Sequence, residues 1–261
     1  MSCVNKTIID LRREPSTRSE RISQALFGTR VKELLSEGEW RLVETPDGYQ
    51  GFVEERHLVK EPATTKGACK IKVKEAIVSV WDLECHSVIT RLAFDTRLQA
   101  TVEGDRLIIR LFTGEEGYIP KEAAIPTTTC EDMTALGDLA RSFVGTPYLW
   151  GGISPFGFDC SGFVQRLFHY CFNYWLPRDT VDQRKIGGSV SVGEVALGDL
   201  CFFPGHVALY LENGWIIHAN RHHNGVSVDQ LIRPVDAYAE RLLADLEDVR
   251  RVSLPPVSDS N

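Results

Sequence analysis

The sequence predicts an α+β protein in which small β modules precede a domain of helices packed on an antiparallel sheet. Three observations predict it. Up to about residue 126 the chain consists of short alternating segments broken by turn residues. Apolar residues at helical spacing begin only after about residue 132. Beyond residue 199, short apolar runs are split by Pro204-Gly205 and Asn213-Gly214, turn pairs that fold strands back on one another.

Taken in order, residues 12–23 are polar and contain a proline, so they read as a long loop feeding a strand at Gln24-Ala25-Leu26. Arg41-Leu42-Val43, the turn Thr45-Pro46-Asp47-Gly48 and the strand Gly51-Phe52-Val53 form a hairpin, since Asp and Gly supply the backbone freedom of a tight turn. The same order returns in Arg106-Leu107-Ile108, Thr113-Gly114-Glu115-Glu116 and Gly117-Tyr118-Ile119. This internal repeat suggests two tandem copies of one module. Residues 61–67 read as a linker, and Leu83-Glu84-Cys85-His86 as a hairpin between strands. The expected divisions are 1–62, 63–128 and 129–261.

In the last division Leu136, Leu139, Ala140, Phe143 and Val144 recur at three- and four-residue steps and end at Gly145 and Pro147, the pattern of a capped amphipathic helix. A second helix is predicted from Phe163, Val164, Leu167, Phe168, Cys171 and Phe172, with Asp159 as its N-cap and Cys160 in its first turn. Residues 200–203, 207–210 and 215–217 read as adjacent antiparallel strands.

Composition narrows the function. Hydrophobic content of 43% and charged content of 25% are those of a globular chain. A net charge of −7, from 29 basic and 36 acidic side chains, argues against a nucleic-acid partner, which requires a concentrated basic face. No apolar stretch matches a secretory signal or a membrane span. Seven cysteines at irregular spacings suit a reducing compartment better than a disulfide framework, and a cytoplasmic location is expected. A monomer is compatible with the sequence, which leaves oligomeric state open.

A cysteine at a helix N-terminus meets unpaired backbone N–H groups and the positive end of the helix dipole, which favour thiolate. Such a nucleophile needs a base. His206 opens one predicted strand and His218 closes the next, so the two can be neighbours across a hairpin, with His218 accepting the Nδ1 proton of His206. The competing reading is a metal site built on His218, His222 and His223. Against it, there is no Cys-x-x-Cys pair, and His222-His223-Asn224-Gly225 has the composition of a solvated turn.

The joint pattern decides between these readings. Pro147-Tyr148-Leu149-Trp150-Gly151-Gly152, Phe158-Asp159-Cys160-Ser161-Gly162-Phe163, Gly198-Asp199-Leu200, Gly205-His206-Val207-Ala208-Leu209-Tyr210 and Ile217-His218-Ala219 stand in register over about residues 132–220. Together they resemble the NlpC-type cell-wall cysteine peptidases, and the first two modules resemble bacterial SH3-like β-barrels, the first more closely than the second. The resemblance implies a papain-like catalytic domain with Cys160 as nucleophile, His206 as base and His218 as the third polar residue. It implies Tyr148 as an oxyanion donor beside the Cys160 amide and Trp150 at the site, where core packing is the alternative. It implies substrate contacts from Asp159, Ser161, Arg178, Asp179 and Thr180, with Asp159 associated with a free amino group on the substrate as well as capping the helix.

The implied reaction is hydrolysis of the γ-D-glutamyl-L-diamino acid bond of peptidoglycan-derived peptides, short muropeptides that begin with L-alanine, with no cofactor. Two alternatives share the residues: amidase or acyl-transfer chemistry at the same Cys–His site, and a non-catalytic peptidoglycan-binding adaptor. An active thiolate is expected to be alkylated by iodoacetamide far faster at Cys160 than at the other six cysteines.

Overall fold

Alternation of buried and exposed side chains builds the first half of the protein. In this computed structural model, which describes residues 1–61 and 67–254, seven strands form one sheet: β1 (Ser2–Val4), β2 (Ile8–Arg12), β3 (Arg21–Leu26), β4 (Arg30–Glu37), β5 (Trp40–Glu44), β6 (Gln50–Glu54) and β7 (Leu58–Lys60). Their order is β3-β2-β6-β5-β4-β1-β7. Ile9 and Leu11 of β2, Val43 of β5 and Val53 of β6 point into one core. The loop expected over residues 12–23 is shorter than its composition suggests, because β2 runs to Arg12 and β3 already begins at Arg21. Its polar side chains bond one another across the turn, as when Arg13 Nε donates to Glu20 Oε2 at 2.7 Å.

A second sheet follows, of β8 (Cys69–Val73), β9 (Ile77–Asp82), β10 (Val88–Ala93), β11 (Arg97–Glu103), β12 (Arg106–Arg110), β13 (Glu116–Pro120) and β14 (Ala124–Pro126), in the order β10-β9-β13-β12-β11-β8-β14. Position for position this is the order of the first sheet. The repeated glycine has one physical cause in both copies. A Cβ on Gly51 would lie 2.9 Å from Leu11 Cβ of β2, and one on Gly117 would lie 2.7 Å from the Trp81 carbonyl of β9. Each glycine lets the last hairpin strand approach the second strand of its own sheet. Phe27, in the turn between β3 and β4, is buried in the core of the second sheet, with its ring 4.8 Å from that of Phe112. Both sheets therefore belong to one compact unit, residues 1–129. Within the expected linker over residues 61–67, positions 62–66 lie outside the described residues.

The second compact unit, residues 130–261, carries α1 (Met133–Ser142), the small pair β15 (Ile153–Ser154) and β16 (Gly157–Phe158), α2 (Cys160–Phe172) and α3 (Thr180–Gln183). Its sheet contains β17 (Gly188–Ser189), β18 (Leu200–Phe203), β19 (His206–Tyr210), β20 (Trp215–Asn220), β21 (Gly225–Gln230) and β22 (Asp248–Arg251), in the order β17-β22-β18-β19-β20-β21. A fourth helix, α4 (Ala237–Ala244), lies between β21 and β22 in the chain.

Helix α2 packs on β19 and β20, and every residue from Cys160 to Cys171 is buried, polar Gln165 and His169 included. Gln165 donates to the Leu176 carbonyl at 2.9 Å, and His169 stacks on Trp175 at 3.6 Å. Edge-to-face contacts among Phe143, Phe158 and Phe163, at 5.3–6.4 Å between centroids, fix the N-terminal end of α2 against the chain that follows α1. Asp199 is also structural: its carboxylate accepts from Arg251 at 2.8 and 2.7 Å, tying the start of β18 to β22. Among the described residues no helix is long and apolar enough to cross a membrane.

Candidate active site

Local geometry places Cys160 as the first residue of α2. Asp159 has extended backbone and accepts the Gly162 amide at 2.7 Å, the N-cap contact expected of it. The loop before the helix presses close: a Cβ on Gly162 would stand 2.2 Å from the Gly152 carbonyl, so only a glycine fits in that first turn.

The same carboxylate has four further donors. These are the Gly151 amide (2.9 Å), the Ser161 hydroxyl (3.2 Å) and both terminal nitrogens of Arg178 (3.1 and 2.6 Å). Arg178 also donates to Ser161 Oγ at 2.8 Å. All three side chains are buried. Asp159, Ser161 and Arg178, the expected substrate contacts, thus also bond one another at the head of α2. They satisfy one another inside the protein because a buried carboxylate is stable only when paired and hydrogen-bonded. Gln183, absent from the expected site, completes this support by donating to the Ser161 carbonyl at 3.0 Å and the Pro177 carbonyl at 2.8 Å. Asp179 stands at the N-cap of α3, where its backbone carbonyl accepts the Asp182 and Gln183 amides, each at 3.0 Å.

Thr180, the first residue of α3, lies beside the expected nucleophile, its hydroxyl 3.8 Å from Cys160 Sγ. The sulfur also accepts from the backbone N–H of Val207, the residue after His206 on β19. The sulfur thus lies against the start of β19, the strand that His206 opens. The hydrogen bonds of Cys160 Sγ and of the His206 ring run to other groups, not to each other. Burial pushes the Cys160 thiol up, and the Asp159 charge pushes it further, against the Val207 amide, Thr180 and Arg178. The thiolate expected at a helix N-terminus is therefore corrected to a neutral resting thiol: desolvation outweighs the dipole when the sulfur is this enclosed.

The expected base, His206, is positioned by the sheet. Leu209 pairs with Ile217 across β19 and β20, and His218 pairs with Ser227 across β20 and β21. In these registers His206, His218 and Asp229 are diagonal neighbours on one face. His206 Nε2 lies 2.7 Å from His218 Nδ1, and His218 Nε2 lies 2.9 Å from Asp229 Oδ2. A carboxylate only accepts, so His218 carries its proton on Nε2 and offers a bare Nδ1. His206 must then carry its proton on Nε2, which leaves Nδ1 as the free base. The expected atom is corrected accordingly: His206 donates to His218 through Nε2, not Nδ1.

Burial and the neighbouring His218 push His206 down to about 3, so it rests neutral. His218 is also lowered by burial, against the hydrogen bond and charge of Asp229. Burial acts to raise Asp229, but hydrogen bonds from His218, His223 and Ser227 outweigh it and hold the carboxyl at about 2.

Asp229 escaped the sequence reading, and the signal that could have found it is its place two residues beyond the partner of His218. The turn histidines are more than solvated surface. His223 Nε2 lies 3.0 Å from Asp229 Oδ1, and His222 stacks on Tyr238 at 3.9 Å with an interplanar angle of 9°.

Tyr148 and Trp150 form the rim. Tyr148 is half-buried, its amide donates to the Asn224 carbonyl at 3.0 Å, and burial raises its phenol, which stays a hydroxyl donor. Trp150 is 49% exposed, which removes core packing as its role.

A cysteine heading a buried helix and bonded to the strand that a histidine opens, with that histidine's tautomer set by the next strand, is the arrangement expected of a cysteine peptidase. Comparisons with known proteins agree: residues 145–243 match the NlpC/P60 family, and residues 11–58 match the bacterial dipeptidyl-peptidase SH3 domain. The chain belongs to the NlpC/P60 family of cysteine peptidases. A γ-D-glutamyl-L-lysine dipeptidyl-peptidase of Bacillus subtilis (strain 168) is 31% identical over 243 residues, covering 85% of this chain and 79% of that one. Dipeptidyl-peptidase 6 of Lysinibacillus sphaericus is 26% identical, covering 88% and 91%. The crystal structure of an NlpC/P60 family protein from Bacillus cereus ATCC 10987 superimposes with a TM-score of 0.82 at 24% identity, over 97% of this chain and 99% of that one, a likeness of fold.

Proposed function

We propose that the protein hydrolyses the γ-D-glutamyl-L-diamino acid bond of peptidoglycan stem peptides, acting on short muropeptides with a free N-terminal L-alanine. The observation that carries the reading is the relay from Asp229 through His218 to His206, which opens the strand that bonds the Cys160 sulfur. The relatives named for γ-D-glutamyl-L-lysine and dipeptidyl substrates support the choice of bond.

In this mechanism His206 Nδ1 takes the Cys160 proton as sulfur attacks the amide carbonyl. The oxyanion is held by the Cys160 amide, an orphan donor of the first helical turn, and by the Tyr148 hydroxyl. The imidazolium of His206 is stabilised through Nε2–H by His218 and, behind it, by the Asp229 charge. It then gives its proton to the departing amine, leaving a thioester. Water, deprotonated by His206 Nδ1, attacks the thioester, releasing L-alanyl-γ-D-glutamate and restoring the thiol.

Residues 1–62 and 63–128 are proposed as two SH3-like modules and 129–261 as the catalytic domain. The shared strand order of the two sheets supports the repeat. A cytoplasmic setting is supported by seven free cysteines, which suit a reducing compartment.

The test is mass spectrometry of digests of L-Ala-γ-D-Glu-diaminopimelate and its N-acetylated form, with wild type and Cys160→Ala. Cleavage confined to wild type and to the free amine supports the reading. Equal cleavage of both peptides overturns the amine requirement, and an active Cys160→Ala overturns the nucleophile.

A further inference from the structure

Asp229 is bonded by two histidines, one on each carboxylate oxygen, and only one of them belongs to the relay. His218 of β20 meets Oδ2 at 2.9 Å and is fully buried. His223, in the turn between β20 and β21, meets Oδ1 through Nε2 at 3.0 Å, with 39% of its side chain exposed. The carboxylate is therefore the junction between the buried rings and solvent. Because a carboxylate only accepts, His223 keeps a proton on Nε2 in either charge state, and the atom that gains or loses one is Nδ1. Titration thus changes the charge beside Asp229 without breaking the bond.

The turn holds this contact in place. The His223 amide donates to Asn220 Oδ1 at 2.8 Å, Asn220 Nδ2 donates to Ser227 Oγ at 2.7 Å, and Ser227 Oγ donates to Asp229 Oδ2 at 2.9 Å. With the His223–Asp229 bond these contacts close a ring across the β20–β21 hairpin. Among the described residues, the titratable groups facing His223 are Asp229 from β21, Tyr238 from α4 at 5.4 Å, and His222 from its own turn at 4.7 Å. Arg221, the cation of the same turn, lies over the Tyr148 and Trp150 rings, while Asp229, Arg241 and Asp236 are the charges that bear on Tyr238. On the β20 side, burial lowers His218, Asp229 opposes that, and the charges of His223 and His222 add to it. A charge on His223 therefore reaches the relay.

We propose that His223 is a positioning residue of the relay: as a neutral donor it holds Asp229 toward His218, and on gaining a proton it draws the Asp229 charge away from the buried rings. The inference rests on the reaction proposed above and adds a control to it. The imidazolium that forms on His206 is stabilised by the Asp229 charge behind His218, so a cation at His223 disfavours it, and turnover slows as pH falls. Histidine is the side chain that ordinarily changes charge between about pH 5 and 8. Over that range His206, pushed down to about 3, stays neutral, and the Cys160 thiol, pushed up by burial, keeps its proton. Neither member of the reacting pair supplies a step there, and His223 does.

The experiment measures kcat/KM for L-Ala-γ-D-Glu-L-Lys at pH 8 and pH 5.5 with wild type, His223→Gln, a permanently neutral donor, and His223→Arg, a permanently charged one. The ratio of wild type to His223→Gln should fall about 3- to 10-fold from the higher pH to the lower, and titration of the substrate cancels from it. The effect is smaller than that of a charge on its direct neighbour, because His206 lies two hydrogen bonds from Asp229 and water screens His223. His223→Arg should lie below His223→Gln by the same factor at both pH values. A ratio that does not change with pH overturns the inference, as does a charged variant as fast as the neutral one. Nitrogen NMR of the free protein reads the coupling without substrate. The His218 ring signals should shift with the midpoint of the His223 ring in wild type and lose that component in His223→Gln; His218 signals indifferent to His223 overturn the inference. Failure of all three proteins to cleave the tripeptide overturns the γ-glutamyl reading instead, and the ring titration then decides this inference by itself.

Discussion

Replacing Asp229 by asparagine keeps the shape of the relay and removes its charge. In wild type the carboxylate accepts from His218 at 2.9 Å, from Ser227 at 2.9 Å and from His223 at 3.0 Å. The charged partner of a hydrogen bond is worth about 1.5–3 kcal/mol. If that energy is realised as His206 becomes imidazolium, its loss lowers kcat/KM by about 10- to 100-fold. A second route adds to the loss. An asparagine that turns its NH2 toward His218 makes Nε2 an acceptor, moves the His218 proton to Nδ1, and forces the His206 proton onto the nitrogen that must serve as base. The acid limb of the pH–rate profile should move to lower pH, since the negative charge favouring imidazolium is gone. Steady-state kinetics on the tripeptide, with nitrogen NMR of the imidazole tautomers, checks both effects. Retention of kcat/KM within about twofold, with unchanged tautomers, would refute the relay as a source of rate.

Three further outcomes follow from burial and charge. Arg178→Met leaves the Asp159 carboxylate buried without its cation, and urea unfolding should show a loss of about 3–5 kcal/mol; a loss under about 1 kcal/mol would mean that the pair is not the lock at the head of α2. Stability should fall with acid in two windows. The unfolded chain protonates His206 below its ordinary 6.5 while the folded site resists to about 3, so stability is lost from about pH 6.5 downward, and His206→Gln should flatten that decline in a melting series. The depressed Asp229 contributes stability above its ordinary 3.8 that disappears as pH falls toward about 2, and Asp229→Asn should abolish this second loss. Iodoacetamide should label exposed Cys69 and Cys85 before Cys160, which is 6% exposed with a raised thiol; mass spectrometry finding Cys160 first would contradict a neutral, enclosed nucleophile.

The parts of this site that were legible in the sequence are the local ones. The Asp159 cap, the start of α2 at Cys160 and strands at 206 and 218 follow from patterns that span a few residues, where one hydrogen bond or one period decides the outcome. What could not be read depends on register and closure. Asp229 joins the relay because the turn at residues 221–224 sets the pairing of β20 with β21, and a slip by one residue would send its side chain to the other face. The internal use of Asp159 depends on Arg178, 19 positions away, returning to bond it. No local pattern announces that a loop arginine will be buried.

The protonation of Cys160 illustrates the same division. A helix N-terminus is a local feature and argues for thiolate, whereas the enclosure that overrides it is a sum over α2, α3 and β19. The two facts fit one chemistry. A neutral thiol and a neutral imidazole need no counter-ion while they wait, but the proton must leave sulfur in a defined direction when a carbonyl arrives. Asp229 supplies that direction by fixing which nitrogen of each ring bears a proton, two hydrogen bonds away from the base. In the proposed reaction burial holds the thiol's proton in place, and the relay fixes the nitrogen that would receive it.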